Sequence, residues 1–265
     1  MATLVDRLEI IGRRTVSGVA EVGLAGALLA DTLFWLVVGP WRRQPVRLGA
    51  AVQQMAEVGV YALPIVTVLG LTIGVMLAIQ GIYTLRNFGA ESHVVVGIAL
   101  SMTREFGPLI TAVLVAGRSG SALAARLATM RINQEVVALR VMGIDPVRYL
   151  VAPPLLGLLV MLPALTVFTD GVGLLGAGLY VDNELGMGLV PYAQRLKDVL
   201  KVDDVLHGVG KSVIFALLIA LIGVVNGAGV TGGAEGVGRV TTRSVVQAIS
   251  AIVITDMLFA FAVTR

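Results

Sequence analysis

Arg104 and Glu105 stand side by side near the middle of an apolar run, residues 93–117. An ionised side chain within a membrane is costly, so such residues face a cavity, water or an opposite charge, and they are functional candidates by default. Neighbours on a helix point about 100° apart. The two therefore need not pair with each other, and each should meet another helix or a water-filled pocket. Pro108, three residues beyond Glu105, removes a helix hydrogen bond and predicts a kink beside the charges. Asp170 and Asp256 are two further acids within apolar runs. With Glu105 they make the alternative of a proton relay, as in a proton-coupled secondary transporter. A packing role is preferred for them, because no intramembrane His or Lys completes a path.

Other chemistry is excluded by residue type. The chain has no cysteine, so thiolate metal sites, iron–sulfur clusters and cysteine nucleophiles are absent, and two separate histidines, His93 and His207, make a poor metal site. Gly210-Lys211-Ser212 ends like a phosphate loop, but Val205 occupies the position that needs glycine. Gly227-Ala228-Gly229-Val230-Thr231-Gly232 matches a dinucleotide fingerprint in letters, yet it follows an apolar helix and no strand precedes it. No Ser/His/Asp constellation is visible. The chain reads as non-catalytic and free of metal or cofactor, so uphill transport would draw on an ion gradient or another subunit.

The elements that position these residues follow from composition. Of 265 residues, 57% are hydrophobic and 14% charged, with mean hydropathy +0.90. Soluble chains carry about 25% charged residues, so this is an all-α integral membrane protein. A net charge of +3 offers no nucleic-acid surface. Runs of roughly 20 apolar residues mark spans, here at about 60–84, 93–117, 149–180, 211–229 and 244–263.

A sixth run, Val22 to Gly39, carries Asp31 and has arginines on both sides, Arg13 and Arg14 before it and Arg42, Arg43 and Arg47 after. Equal basic flanks favour a helix lying in the interface or re-entering over one that crosses. It ends in Gly39-Pro40-Trp41 without a small-residue cleavage site, unlike a signal peptide. The organisation is thus an interfacial region over 1–48 and a five-span domain over 49–265. With the N-terminus inside, the cytoplasmic side takes six Lys/Arg from residues 1–60, five from 118–148 and two from 230–243. The outside takes Arg86, Arg195, Lys197, Lys201, Lys211 and Arg265. That imbalance favours this orientation.

Two loops have structure of their own. Arg126–Gly143 reads as one short cytoplasmic helix closed by Gly143, and Asp145-Pro146 as the cap and first residue of the third span. In the outer loop, about 181–204, Pro191–Leu200 reads as a helix, and Asp203/Asp204 as the cap of the fourth span. Gly232–Gly238 reads as a flexible turn. Gly70, Gly74 and Ala78, and likewise Gly223 and Gly227, are spaced for close helix packing.

Arg104-Glu105-Phe106-Gly107-Pro108-Leu109, Ala116-Gly117-Arg118-Ser119-Gly120-Ser121-Ala122, Thr129-Met130-Arg131 and Ala138 to Pro146 resemble the MlaE/YrbE permease family of ABC transporters. Lys211 to Phe215, Asn226-Gly227, Glu235 to Val246, Gly74 and Gln80-Gly81 agree, so the resemblance runs over roughly residues 50–263. It implies a homodimeric permease that moves phospholipid or a related lipid between the bacterial inner and outer membranes. Its expected partners are two copies of a cytoplasmic MlaF-like ATPase that binds ATP and Mg, and an Mce-domain, MlaD-like hexamer on the outer side. A small MlaB-like STAS-domain protein joins some such complexes. The resemblance also implies a lipid pocket at Ile79, Ile82, Glu105 and Phe106, with Arg104 in support. The cytoplasmic segment carrying Arg126, Met130, Arg131, Glu135 and Arg140 would couple to the ATPase. Arg126 stands where the family usually has an acid, and Asn133-Gln134-Glu135 replaces its Thr-Glu-Gln, so the coupling contacts should be altered here.

Overall fold

The structure, a computed structural model, describes residues 4–39, 41 and 47–263, and every regular element among them is helical. In chain order these are α1 (Leu4–Val38), α2 (Leu48–Val58), α3 (Leu63–Arg86), α4 (Val94–Ser101), α5 (Gly107–Val115), α6 (Ser121–Ile132), α7 (Glu135–Val141), α8 (Ala152–Leu185), α9 (Leu189–Val199), α10 (Val202–Ala228) and α11 (Ala234–Val263).

Several run on into one another. Among the described residues, six helical stretches are long and apolar enough to cross a membrane: Gly18–Leu36, Leu48–Arg86, Glu91–Ile132, Val147–Leu185, Val202–Ala228 and Ala234–Ala262. The first, near the N-terminus, has only 6% of its residues buried against the rest of the chain. Pro40, Arg42, Arg43 and Arg265, which entered the expectations above, lie outside the described residues.

The helices overrun the apolar runs, because charged flanking residues continue a helix as readily as apolar ones. Glu91–Ile132 is 42 residues, about 60 Å at 1.5 Å per residue, roughly twice the hydrocarbon core. Its far end therefore projects beyond the membrane. The fourth span starts at Val202, not near 211, which moves Lys211 from the outer loop into the span. Gly236 and Gly238, expected in a turn, belong to the first turns of α11.

The segment 126–143 is two helices. α6 ends at Ile132, and Gln134 takes a left-handed conformation, φ 61°, before α7 begins at Glu135. Its carbonyl then accepts the first hydrogen bonds of α7, from Val137 and Ala138 N–H. Gly143, φ +74°, does close α7: its N–H donates to Arg140 O and Ile144 N–H donates to Leu139 O, the paired bonds of a glycine-terminated helix. Asp145 caps the next span, its Oδ1 accepting Arg148 N–H at 3.0 Å.

α8 is the central span. Leu155, Leu158, Leu162 and Leu165 pack in one core with Phe215 and Ile219 of α10 and Ile252 of α11. The buried face of α3 recurs every four residues, Val66, Gly70, Gly74, Ala78 and Ile82, and Ala62 just before the helix continues it. A Cβ on Gly74 would collide with the carbonyl of Gly173 on α8, so the two backbones touch there. Gly223 and Gly227 bring α10 close to the second span: a Cβ would lie 3.2 Å from Gly120 O, just before α6, and 2.7 Å from Ala124 O on it. On the loop between α8 and α10, Tyr192 of α9 docks over Gly178 and donates its hydroxyl to Leu174 O at 3.0 Å. Burial pushes that phenol up to about 12.

Candidate functional site

Between α4 and α5, Met102–Phe106 forms a single π-helical turn. Pro108 is the local cause. It has no N–H to return to the preceding turn, and Gly107 N–H reaches back five residues to Met102 O. The extra residue re-aims the side chains, and π turns of this kind are frequent at functional sites. Arg104 and Glu105 both lie on this turn.

They do not pair with each other; both grip α10. Arg104 Nε donates to Asp204 Oδ1 at 2.7 Å, and the other oxygen of Asp204 accepts Lys201 N–H at 2.9 Å. Asp204 thus closes the start of α10 from its third residue while holding Arg104; the expected cap at Asp203 is not used, and Asp203 is exposed. Seven residues on, Lys211 Nζ donates to Glu105 Oε2 at 2.6 Å and lies 2.9 Å from Asp256 Oδ1 of α11, the latter outside hydrogen-bond alignment. Gly208 sits between these two grips. A Cβ there would strike the carbonyl of Thr103, so glycine lets α10 approach the π turn closely enough for both ion pairs to form.

Lys211 has no exposed surface, whereas the side chains of Glu105 and Arg104 are 41% and 43% exposed. A buried ammonium needs compensation, and two carboxylates supply it. Phe259 covers the cluster, 5.8 Å from Lys211 Nζ and edge-on to His207. The arrangement anchors two half-open charges of opposite sign, Arg104 at the first turn of α10 and Glu105 about 14 Å along it from its start, with Phe106 half-buried beside them. It can meet a charged or zwitterionic group entering from the exposed side without first unfolding an ion pair.

Lys211 is the member of this cluster missed by reading 211 as the start of a span. The signal was present: a lysine seven residues after Asp204, on the same helix face, leading directly into a long apolar run. It also corrects the statement that no lysine stands among the intramembrane acids. Asp170 is apart from the cluster just described; it packs on Gly107, and its Oδ1 has no hydrogen-bond partner.

Of the apolar positions, Ile79 is 45% exposed on α3. Ile82, three residues on, faces inward. It is 3% exposed in a core shared with Val94, Ile98 and Tyr192, so it does not join the surface that Ile79 presents.

At the other end of the second span, Arg126, Arg131, Glu135 and Arg140 are exposed and Met130 is half-buried. Asn133 Nδ2 donates to Glu135 Oε1 at 3.1 Å. Val141 and Met142 project from the same hairpin with 83% and 63% of their surfaces open. Behind the hairpin is a cavity of about 610 Å³ lined by Arg131, Arg140, Val147 and Val224, among others.

A helical bundle with intramembrane ion pairs at one end and a charged, apolar-tipped hairpin at the other is a polytopic membrane protein of permease type. The profile of the family described as Permease MlaE matches residues 51–262, and the chain belongs to this family. It is 32% identical over 247 residues, 92% of either chain, to the intermembrane phospholipid transport system permease protein MlaE of Haemophilus influenzae. It is 31% identical over 261 residues, 97% of this chain and 99% of the other, to a probable ABC transporter permease protein of Rickettsia typhi. The chloroplastic protein TRIGALACTOSYLDIACYLGLYCEROL 1 of Arabidopsis thaliana is 32% identical over 206 residues, 78% of this chain and 59% of its own. Membership in a family of ABC transporter permeases does not favour the proton-coupled reading.

Proposed function

We propose that this chain is the transmembrane subunit of an ATP-driven transporter that moves phospholipid or a related lipid between the inner and outer membranes of a bacterium. The observation that carries the reading is the half-open Arg104 and Glu105, fixed from behind by Asp204 and by buried Lys211, in a bundle whose α3 also presents the exposed Ile79. Charges of both signs next to an apolar surface suit a zwitterionic or anionic amphiphile. The resemblance to a phospholipid transport permease agrees with that class.

ATP and Mg would be bound by a separate cytoplasmic subunit, since the sequence holds no phosphate loop. The α6–α7 hairpin is the surface proposed to receive that subunit. Arg131, Glu135 and Arg140 are exposed on it with Val141 and Met142, after Arg126 and Met130 on α6, and exposed apolar residues among charges suit a protein groove. The chain would work as a homodimer in the inner membrane, N-terminus inside, with an Mce-domain hexamer on the outer face and a STAS-domain protein in some assemblies.

Copurification with the products of neighbouring genes tests this. An ATP-binding subunit should accompany the chain, and exchanging Arg131 for Glu should lower ATPase activity several-fold. Glu105→Gln should lower lipid transfer in reconstituted vesicles while the complex still assembles. Charge reversal at Glu105 is less informative, because it would set a second ammonium against Lys211. A stable complex without an ATPase, together with proton-driven transfer by the isolated chain, would overturn the proposal.

A further inference from the structure

A second charged recess lies away from the ion cluster, where the second span passes α2. It is a cavity of about 290 Å³ between α2 and α6, floored by Pro154 and Leu158 of α8. Arg118, Ala122 and Arg126 follow one another at four-residue intervals along one wall, so two guanidinium groups flank a methyl-sized gap. A π turn at Ala116–Gly120 carries the first of them. The opposite wall presents Glu57 and Tyr61.

Glu57 keeps its charge in the recess but forms no ion pair with either arginine. Its two carboxylate oxygens accept hydrogen bonds from Gln53 at 3.3 Å and Gln54 at 2.7 Å, both on its own helix. Among the described residues, neither Arg118 nor Arg126 has an ion pair or a side-chain hydrogen bond. Two exposed arginines without an ion pair line one recess with a phenol across from them, so their donors stay open to an acceptor. Guanidinium donors match the oxygens of a phosphate in paired geometry.

The position names the source of that phosphate. Arg118 directly follows the apolar run ending at 117, and Glu57 comes just before the run that begins near 60. The cavity therefore straddles the boundary between apolar and charged sequence, the level at which lipid head groups lie. Its floor is apolar and its volume suits a head group, not acyl chains.

We infer that this recess is a phosphate site for the head group of a phospholipid in the leaflet on the side of the α6–α7 hairpin. It is separate from the Arg104/Glu105 site. The inference rests on the membrane placement alone and does not require ATP-driven transport, so failure of one leaves the other standing.

The test is lipid binding by the purified full-length protein, with whatever subunits accompany it, delipidated in a maltoside detergent and followed by native mass spectrometry. Dioleoylphosphatidylglycerol should bind where dioleoylglycerol, which lacks the phosphate, does not. Arg118→Gln with Arg126→Gln should weaken that binding by about tenfold or more, and Glu105→Gln should leave a bound lipid in place. Ala122→Trp keeps both arginines but fills the gap between them, and it should abolish the same binding event even if the double variant proves hard to purify. Equal phosphatidylglycerol binding in either variant overturns the site. Displacement of the lipid by micromolar inorganic phosphate reassigns it to a soluble anion, and occupation of the recess by a protein subunit in place of lipid also refutes it.

Discussion

Lys211 carries more of the site's electrostatics than its neighbours, because it alone has lost all contact with water. With the ammonium removed, Glu105 and Asp256 are left as two acids without a cation. Breaking a fully buried pair costs roughly 3–5 kcal/mol, and the 41% exposure of Glu105 makes the cost smaller here. Lys211→Met should therefore lower the midpoint of thermal unfolding in detergent, read from the fluorescence of Trp35 and Trp41. Adding Glu105→Gln and Asp256→Asn should recover much of the loss, since no unpaired charge then remains; a triple variant no better than the single one would show that packing, not charge, holds this corner. At this scale the sequence was informative about Arg104 and Glu105, because charge inside an apolar run is visible in letters. It was misleading about Lys211, because a span boundary drawn at a charged residue turns a buried charge into a loop charge. Which carboxylate meets which cation depends on the π turn and on Gly208, and neither pairing can be read from spacing along one helix.

Among the elements, the glycine seams are the parts most directly written in the sequence. Gly70, Gly74, Gly223 and Gly227 have the spacing of close-packed helices, and each meets a backbone of another span. Gly74→Val should cost about 2–4 kcal/mol, because α3 must retreat from the carbonyl of Gly173 along its whole length. Gly97→Ala on α4 is the control: nothing lies within 4 Å of the added methyl, so it should leave stability unchanged or raise it by up to about 1 kcal/mol. Both are measured by unfolding in detergent, and equal effects would deny the seam its role. The break in the α6–α7 hairpin was hidden for a physical reason. No glycine or proline marks it, and Gln134 adopts a left-handed conformation that its own side chain does not favour, held by the helices on either side. Composition in this stretch describes a helix, while the fold demands a corner.

For the whole molecule, orientation is the open quantity that charge counting addresses. The absence of cysteine gives a clean background for labelling. Single cysteines at Gly12, Gln134 and Lys197 should react with a membrane-impermeant maleimide as two classes, Gly12 and Gln134 only after the cytoplasmic face is opened and Lys197 from outside. If instead Gly12 reacts from outside while Gln134 does not, the run Gly18–Leu36 crosses and the interfacial reading of that helix is wrong.

The second span has one further property as a rod. Its two π turns, Met102–Phe106 and Ala116–Gly120, each hold one residue more than α-helical winding needs. Relaxing either turn into α geometry would rotate everything beyond it by about 100° and shift it by about 1.5 Å, with no hydrogen-bonded segment unwound elsewhere. The rod is thus geared: a twist applied at Ile132 can be absorbed at the arginine-bearing turn nearer to it or passed on to Arg104 and Glu105.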